Sequence, residues 1–496
     1  MKKNYATTKV LQACLLFFMI ITTNVFGQVG IGTITPNASS VLDVSSTTQG
    51  MLTPRMTTAQ RTAIASPADG LMVYDIDLKS FYHYNSAITS WNVINSATTG
   101  RLKFKRIKSS DVLATVLAAE KLAGGNTKYL LDTQTLYEIN GTINVDLPIE
   151  LNNAYVAGLD SSDDKLVKAS GDLFTGTTGG SIRVLTLTAT AGNVFNITGG
   201  GNQNFIFRDA IVVGSANVGK IENFSLVFLS IVQYAGNANG IIYKDISKLL
   251  LSNMGWFSDN SGTYEKLEGT FGLVQKQGGF SEISGANVGF DVSINPTISG
   301  DAVMRDVVFT GTLTTGKYVK GYTTGSYTGY NFNNKWMVNA AGIPREDDAS
   351  AVGEFSVDYA VGSGALTSFS GANPTVIIKV VGVSTSSNLF RFSTGGVSNK
   401  LIYEGNKKKF IQVTGSISFQ VQNLSTYILY VAKNGTAVAQ YKIYGRGATN
   451  GDIVVLPLNA LVELSNGDFI EVYVQRYSST NSGDSIVTPN MTLVAK

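Results

Sequence analysis

The sequence predicts an all-β protein: a right-handed parallel β-helix flanked by a small N-terminal β module and a C-terminal jelly roll. Three observations carry this. Gly is high at 52 and Pro low at 9, while Tyr (22) and Phe (24) are abundant, as in strands joined by tight turns. Between about 126 and 345, short apolar–charged–apolar segments recur, with Gly- and Asn-rich links after nearly every one. Beyond about 346 the strands lengthen, and Asn-Gly pairs stand between alternating runs.

Residues 1–27 are set aside first. Lys2, Lys3 and Lys9 form a basic start, LLFFMIITTNVF is apolar but short for a bilayer span, and Val25 and Gly27 suit a cleavage site. The pattern predicts a secretory signal peptide. Its removal takes the single cysteine, Cys14, and three of the 38 Lys and Arg, leaving 35 bases against 35 acids. The remaining chain has no disulfide and no thiolate metal ligand, so core burial alone must stabilise it. A net charge of zero argues against nucleic acid as a partner. No later segment is apolar for long enough to span a membrane.

The opening module covers 28–99. VGIG and SVLDV are short strands around the turn-prone TITPNAS. Thr57-Thr58 caps the helical stretch AQRTAIAS, which stops at Pro67. GLMVYDID, SFYHYN and SWNVI alternate with period two and predict a three-strand meander. The motifs VGIGT-x-x-P, LDV, G-x-L-x-PRMT-x-AQR-x-AI, G-L-x-VY and FY-x-YN…W resemble the opening module of secreted Bacteroidetes-type surface proteins. VGIGT-x-x-P…LDV is also similar to segments of bacteriophage tail-fibre shafts. The resemblance implies display outside a Gram-negative cell, secreted or on its surface, and trimeric assembly.

Residues 100–345 are assigned to a capping helix and the β-helix. In SSDVLATVLAAEKLAGG, Ser110 is the expected N-cap, Val112, Leu113, Val116 and Leu117 form one apolar face, and Gly124 ends the helix. Such a helix covers the open end of a stacked core. The recurring segments are FIFRDAIVV, GKIENFSLVF, IIYKDISKLL, TYEKLEGTF, FSEISGANV and VMRDVVFTG, spaced by about 14 to 24 residues. The preceding stretch, 128–170, resembles the first rungs of the pectate-lyase-like and phage-tailspike β-helix.

Residues 346–496 form the third part. Ile411, Val413, Ile417, Phe419 and Val421 share one strand face, and Asn434-Gly435 and Asn466-Gly467 signal two-residue hairpins. YILYVAKNGT followed by VELSNGDFIEVYVQ resembles the second half of the complement-globular-head and tumour-necrosis-factor jelly roll, which implies a trimer. Tyr427, Tyr430, Tyr441 and Tyr444 belong either to a subunit interface or to an ordinary core.

Chemistry is sparse. One histidine, His83, and one cysteine exclude Ser-His-Asp, Cys-His and His-based zinc sites. Asp209, Glu222, Asp245, Glu268, Glu282 and Asp306 on successive segments suit either glycosidic chemistry or a solvated charge ladder. The Asp/Ser cluster at 160–164 suits calcium or a plain turn. The aromatics Trp256, Tyr318, Tyr322, Tyr327, Tyr330 and Trp336 lie in Gly/Ser/Asn-rich loops. They are the expected glycan-binding residues, by stacking on sugar rings, or else they pack the last rung on the jelly roll. No catalytic residue, metal or cofactor is expected. The reading is an exported tailspike-like structural and adhesive protein, homotrimeric, binding a polysaccharide or cell-surface glycan. The rivals are a β-helix polysaccharide lyase or hydrolase with paired carboxylates, and a phage-tail-derived structural protein.

Overall fold

The computed structural model describes residues 5–20, 27–94 and 103–496. They fall into two compact units, residues 1–100 and 101–496. Tyr5–Ile20 is helical; Lys2, Lys3 and Val25 lie outside the described residues. Among the described residues no helix is long and apolar enough to cross a membrane.

The first unit is built around Arg61. Thr57 caps the short helix Thr58–Thr62 through a capping box: its hydroxyl accepts from Gln60 N, and Gln60 Oε1 accepts from Thr57 N. That cap aims Arg61 inward. Its guanidinium lies 4.0 Å from the Tyr82 ring centre, and its Nε is 2.9 Å from Asp75. Desolvation raises the pKa of Asp75, but hydrogen bonds from Leu78 N, Arg61, Thr58 and Asp77 N outweigh it and hold the carboxyl at about 2. Met72–Asp75, Ser80–Asn85 and Ser90–Val93 form the expected antiparallel meander, with His83 half-buried opposite Met72 and Asn92. Val29–Ile31 and Leu42–Val44 pair in parallel with each other.

The second unit begins with the β-helix. Parallel strands stack into three sheets. Sheet 1 holds Phe104–Lys108, Leu136–Asn140, Tyr155–Ala157 and Gly180–Arg183, then segments 204–208, 226–230, 248–252, 273–277 and 302–305, and the start of Trp336–Ala341. Sheet 2 runs from Thr142–Asn144 to 308–310. Sheet 3 runs from Tyr129–Leu130 to Lys317–Lys320.

The recurring sequence segments are strand–corner–strand units. In Asn217–Ala235 the chain passes from sheet 3 through sheet 1 to sheet 2 without leaving the ladder. It turns at single residues with left-handed backbones. Between sheets 1 and 2 these stack in register as Val184, Asp209, Ile231, Asn253, Gly278 and Asp306, all with φ between 52° and 65°. Between sheets 3 and 1 they are Asn223, Asp245 and Gly269. Asp, Asn and Gly tolerate this conformation, so the acids fall where the chain bends. The expected spacing of 14 to 24 residues mixed the two corner types. Equivalent positions such as Phe205, Val227, Leu249, Val274, Ala302 and Trp336 are 22 or more residues apart.

The third corner carries a buried polar ladder. Asn237 Nδ2 donates to Val212 O and to Asn260 Oδ1, Asn260 Nδ2 donates to Tyr234 O, and Asn237 Oδ1 accepts from Ser215 N. Every amide is satisfied by the rung beside it, so burial costs little.

The cap differs from the single helix expected. Val112 is the N-cap, not Ser110, and it is 68% exposed. The helix breaks at Leu117 into Leu113–Val116 and Ala118–Ala123, and ends at Gly124. The break lets Leu113 and Leu117 both enter the solenoid core and turns Glu120 inward. Glu120 is 2.6 Å from Lys105 Nζ and accepts from the Tyr137 hydroxyl at 2.8 Å, tying the cap to the first two rungs.

The jelly roll has two antiparallel sheets. One orders Gly353–Asp358, Ser485–Ala495, Lys409–Val421 and Ile453–Leu464; the other orders Leu401–Tyr403, Phe469–Arg476 and Ser425–Lys433. Ile411, Val413, Ile417, Phe419 and Val421 are all fully buried, as the alternation predicts. Asn434 and Gly435 both have positive φ and close a hairpin. Asn466-Gly467 does not: Ile453–Leu464 and Phe469–Arg476 lie in different sheets, so this turn carries the chain across the sandwich. Tyr427 and Tyr430 are core residues, whereas Tyr444 is exposed.

Two predictions follow from the solenoid. Ile231 holds a left-handed φ of 55° as a β-branched residue, and Ile231→Asn should stabilise by about 1 kcal/mol, read as a higher melting temperature. Lys276 and Glu265 each interrupt an otherwise apolar inward column and pair across the core at 2.8 Å, fully buried. Lys276→Met should cost about 3–5 kcal/mol by orphaning Glu265, and adding Glu265→Leu should recover most of it in chemical denaturation.

Candidate binding surface

The aromatic residues expected to bind sugar are mostly structural. Trp256 stacks on Tyr264 inside the solenoid, ring centres 4.4 Å apart, with no exposed surface. Trp336 is equally buried, its Nε1 donating to the hydroxyl of buried Tyr322, which in turn donates to Pro296 O. Neither tryptophan nor Tyr322 has a ring face to offer a ligand. Tyr318 is half-buried and its hydroxyl donates to Gly311 O. Trp256 comes from an apparent loop, but the chain there is the end of a sheet-2 strand. Its alternation with Met254 points the ring inward.

Tyr327 and Tyr330 join the solenoid to the jelly roll. Tyr330 stacks on Phe390 at 4.0 Å, and Tyr327 meets the same ring edge-on at 5.2 Å. The Tyr327 hydroxyl donates to Glu404 Oε2 at 2.8 Å; burial and then Glu404 push its pKa up. Arg391, fully buried, donates to Trp336 O and lies 3.5 Å from Asp348. The junction is a packed, hydrogen-bonded seam.

The segment acids divide by position. Asp209, Asp245 and Asp306 are corner residues, and Asp245 Oδ1 also accepts from Thr270 N. Glu222 is held between Lys220 at 2.5 Å and Lys244 at 2.7 Å, and Glu268 pairs with Lys266 at 2.7 Å. The hydrogen bonds from Lys220 and Lys244 hold the Glu222 pKa below the usual carboxylate range. Glu282 accepts from Ser258 N. In the Asp/Ser cluster, Asp164 is buried and accepts from Gly141, Leu159 and Asp160 N, which makes it a turn organiser. Among the described residues no acidic or histidine group gathers to hold a metal.

Of the three outer faces, sheets 3 and 1 contrast. Sheet 3 presents the charged ladder and, beside it, a groove of about 430 Å³ lined by Asn193, Asn217, Asn239, Lys220, Ile242 and Lys266. Amides and ammonium groups over one apolar floor suit hydroxyl-rich or anionic ligands. Sheet 1 presents an apolar column. Its outward positions pair in register as Phe104, Leu136, Tyr155, Ser181, Ile206, Phe228, Leu250, Gln275, Val303 and Met337. Part of it lines a groove of about 480 Å³ with Arg183 and Arg208 on its rim. The signal was in the sequence: Phe205-Ile206-Phe207, Leu226-Val227-Phe228-Leu229 and Leu249-Leu250-Leu251 are apolar on both faces.

The junction predicts a separable phenotype. Tyr330→Ala should remove a ring pair of about 0.5–1.5 kcal/mol and speed protease cleavage within 341–352. It should leave any glycan binding unchanged.

Residues 30–109 match the model of a family described as the phage tail like trimerisation region. No curated protein sequence matches the chain. Among solved structures, the chain is similar to the enzymatically active domain of bacteriophage CBA120 tailspike protein 4 at 9% identity and a TM-score of 0.23, covering 89% of this chain and 77% of that one. Murine APRIL is similar at 10% identity and a TM-score of 0.20, covering 29% of this chain and 98% of that one. Eiger TNF from S. frugiperda is similar at 8% identity and a TM-score of 0.20, covering 29% and 92%.

Proposed function

We propose that this chain is an exported, tailspike-like structural protein of the cell surface that works as a homotrimer and adheres through a glycan or other surface partner. The match of residues 30–109 to a trimerisation region carries this reading. The opening strip supports it. Val29, Ile31 and Leu42 are exposed on two three-residue strands that, among the described residues, pair only with each other, and Ile34 and Val41 are exposed beside them. Such a strip buries too little apolar surface to order itself alone, and neighbouring copies supply what it lacks.

Export follows from the leader, with cleavage before Gln28. Adhesion follows from the amide- and lysine-lined groove of sheet 3 rather than from the tyrosine loop. Three copies of a weak groove, presented together, raise the strength of attachment without new contacts. The segment acids are engaged at corners, by lysines or, for Glu282, by the Ser258 amide, which favours binding over hydrolysis.

The test is the intact mass and light-scattering mass of the protein recovered after export. A chain beginning at Gln28, in particles of three times its mass, is expected; a monomer at all concentrations would overturn the trimer. Glycan arrays probed with that trimer should show binding that Lys220→Ala with Lys266→Ala abolishes. Equal binding by the variant would refute the sheet 3 groove.

A further inference from the structure

We infer that the outward face of sheet 1 is where the solenoids of three copies of this chain meet. The inference rests on the trimer proposed above and adds the surface by which the solenoids pack.

Strand patterning is the first ground. A strand covered on one face alternates, and a strand covered on both faces reads as a continuous apolar run. Sheet 3 strands alternate: Ile221 and Leu267 point inward, while Lys220, Glu222, Lys266 and Glu268 point out. Sheet 1 strands carry an apolar outward column beside a polar one, with Arg106, Glu138, Arg183, Arg208 and Arg305 two residues further along their strands. Ile206, Phe228, Leu250, Val303 and Met337 stand outward between inward residues that are themselves buried. Within one chain that outer face meets solvent, with Phe104 43% and Tyr155 40% exposed. Sequence of this kind is written for a face that is covered.

Direction is the second ground. The column follows the solenoid axis over ten stacked strands among the described residues. Strands about 4.8 Å apart make it on the order of 45 Å long. A straight line of that length, apolar at all but Ser181 and Gln275, fits three parallel copies around a threefold axis, because each position then meets its own counterpart at the same height. A small ligand needs no such length.

Continuity is the third ground. The first strand of sheet 1, Phe104–Lys108, lies inside the matched trimerisation region, which ends at residue 109. The column thus begins within the matched region. The rim arginines, Arg183 and Arg208, then stand at the edge of the interface, where charge sets approach and register.

The experiment uses single cysteines in the full chain carrying Cys14→Ser. Phe228→Cys on sheet 1 is compared with Ile242→Cys on sheet 3 after treatment with a short bismaleimide. At a threefold axis the Phe228→Cys protein should link two chains of every three, giving a dimer and a monomer band under denaturing conditions, while Ile242→Cys stays unlinked. In parallel, Phe228→Asp and Val303→Asp should lower the light-scattering mass towards the monomer and keep the β circular dichroism. If the unsubstituted chain is trimeric but Phe228→Cys does not link and both aspartates leave the trimer intact, sheet 1 is not the interface and the trimer stands. If the unsubstituted chain is a monomer, both readings fall.

Discussion

Everything in the second unit depends on register. Each inward residue of the solenoid rests on the equivalent residue of the next rung, so a column such as Tyr137, Val156, Ile182, Phe207, Leu229 and Leu251 is one continuous wall. A slip of one residue would turn that wall outward and bring its polar neighbours in. The left-handed corners prevent the slip. Because Asp209, Ile231, Asn253 and Gly278 bend the chain at the same corner of successive rungs, strands on either side cannot shift independently. The Asn237–Asn260 ladder pins the third corner in the same way, through amides whose partners exist only in the correct register.

The ends of such a stack are its weak points, since a terminal rung has a buried face and nothing to rest on. At one end, Leu113 and Leu117 close the core, and Lys105, Glu120 and Tyr137 lock the lid. At the other, Trp336 and Phe332 finish the core and the jelly roll is docked through Tyr327, Tyr330 and Arg391. The aromatic-rich loop between them is a mechanical joint. That assignment moves the search for a ligand to the outer faces of the solenoid.

How much of this was legible beforehand varied with the range of the interactions. Local patterns read well: the Thr57–Gln60 cap, the alternating meander, the Asn434-Gly435 turn and the common face of Ile411 to Val421 each depend on neighbours within a strand or turn. Readings that depended on which strand pairs with which did not. Asn466-Gly467 has hairpin chemistry, yet its flanking strands belong to different sheets. Asp209, Asp245 and Asp306 read as candidate acids until their backbone conformation showed them to be corners. Trp256 read as a loop aromatic until its strand placed it in the core.

By itself, the sequence determined that this protein is all-β, stacked in its middle, sandwiched at its end and free of cysteine beyond Cys14, because composition and period are properties of a single strand. Only the tertiary structure decided which apolar residues face inward and which face out. The doubly apolar runs around Ile206, Phe228 and Leu250 look alike from either side until three sheets close around a core. One side of each run is then the wall of that core, and the other is a surface.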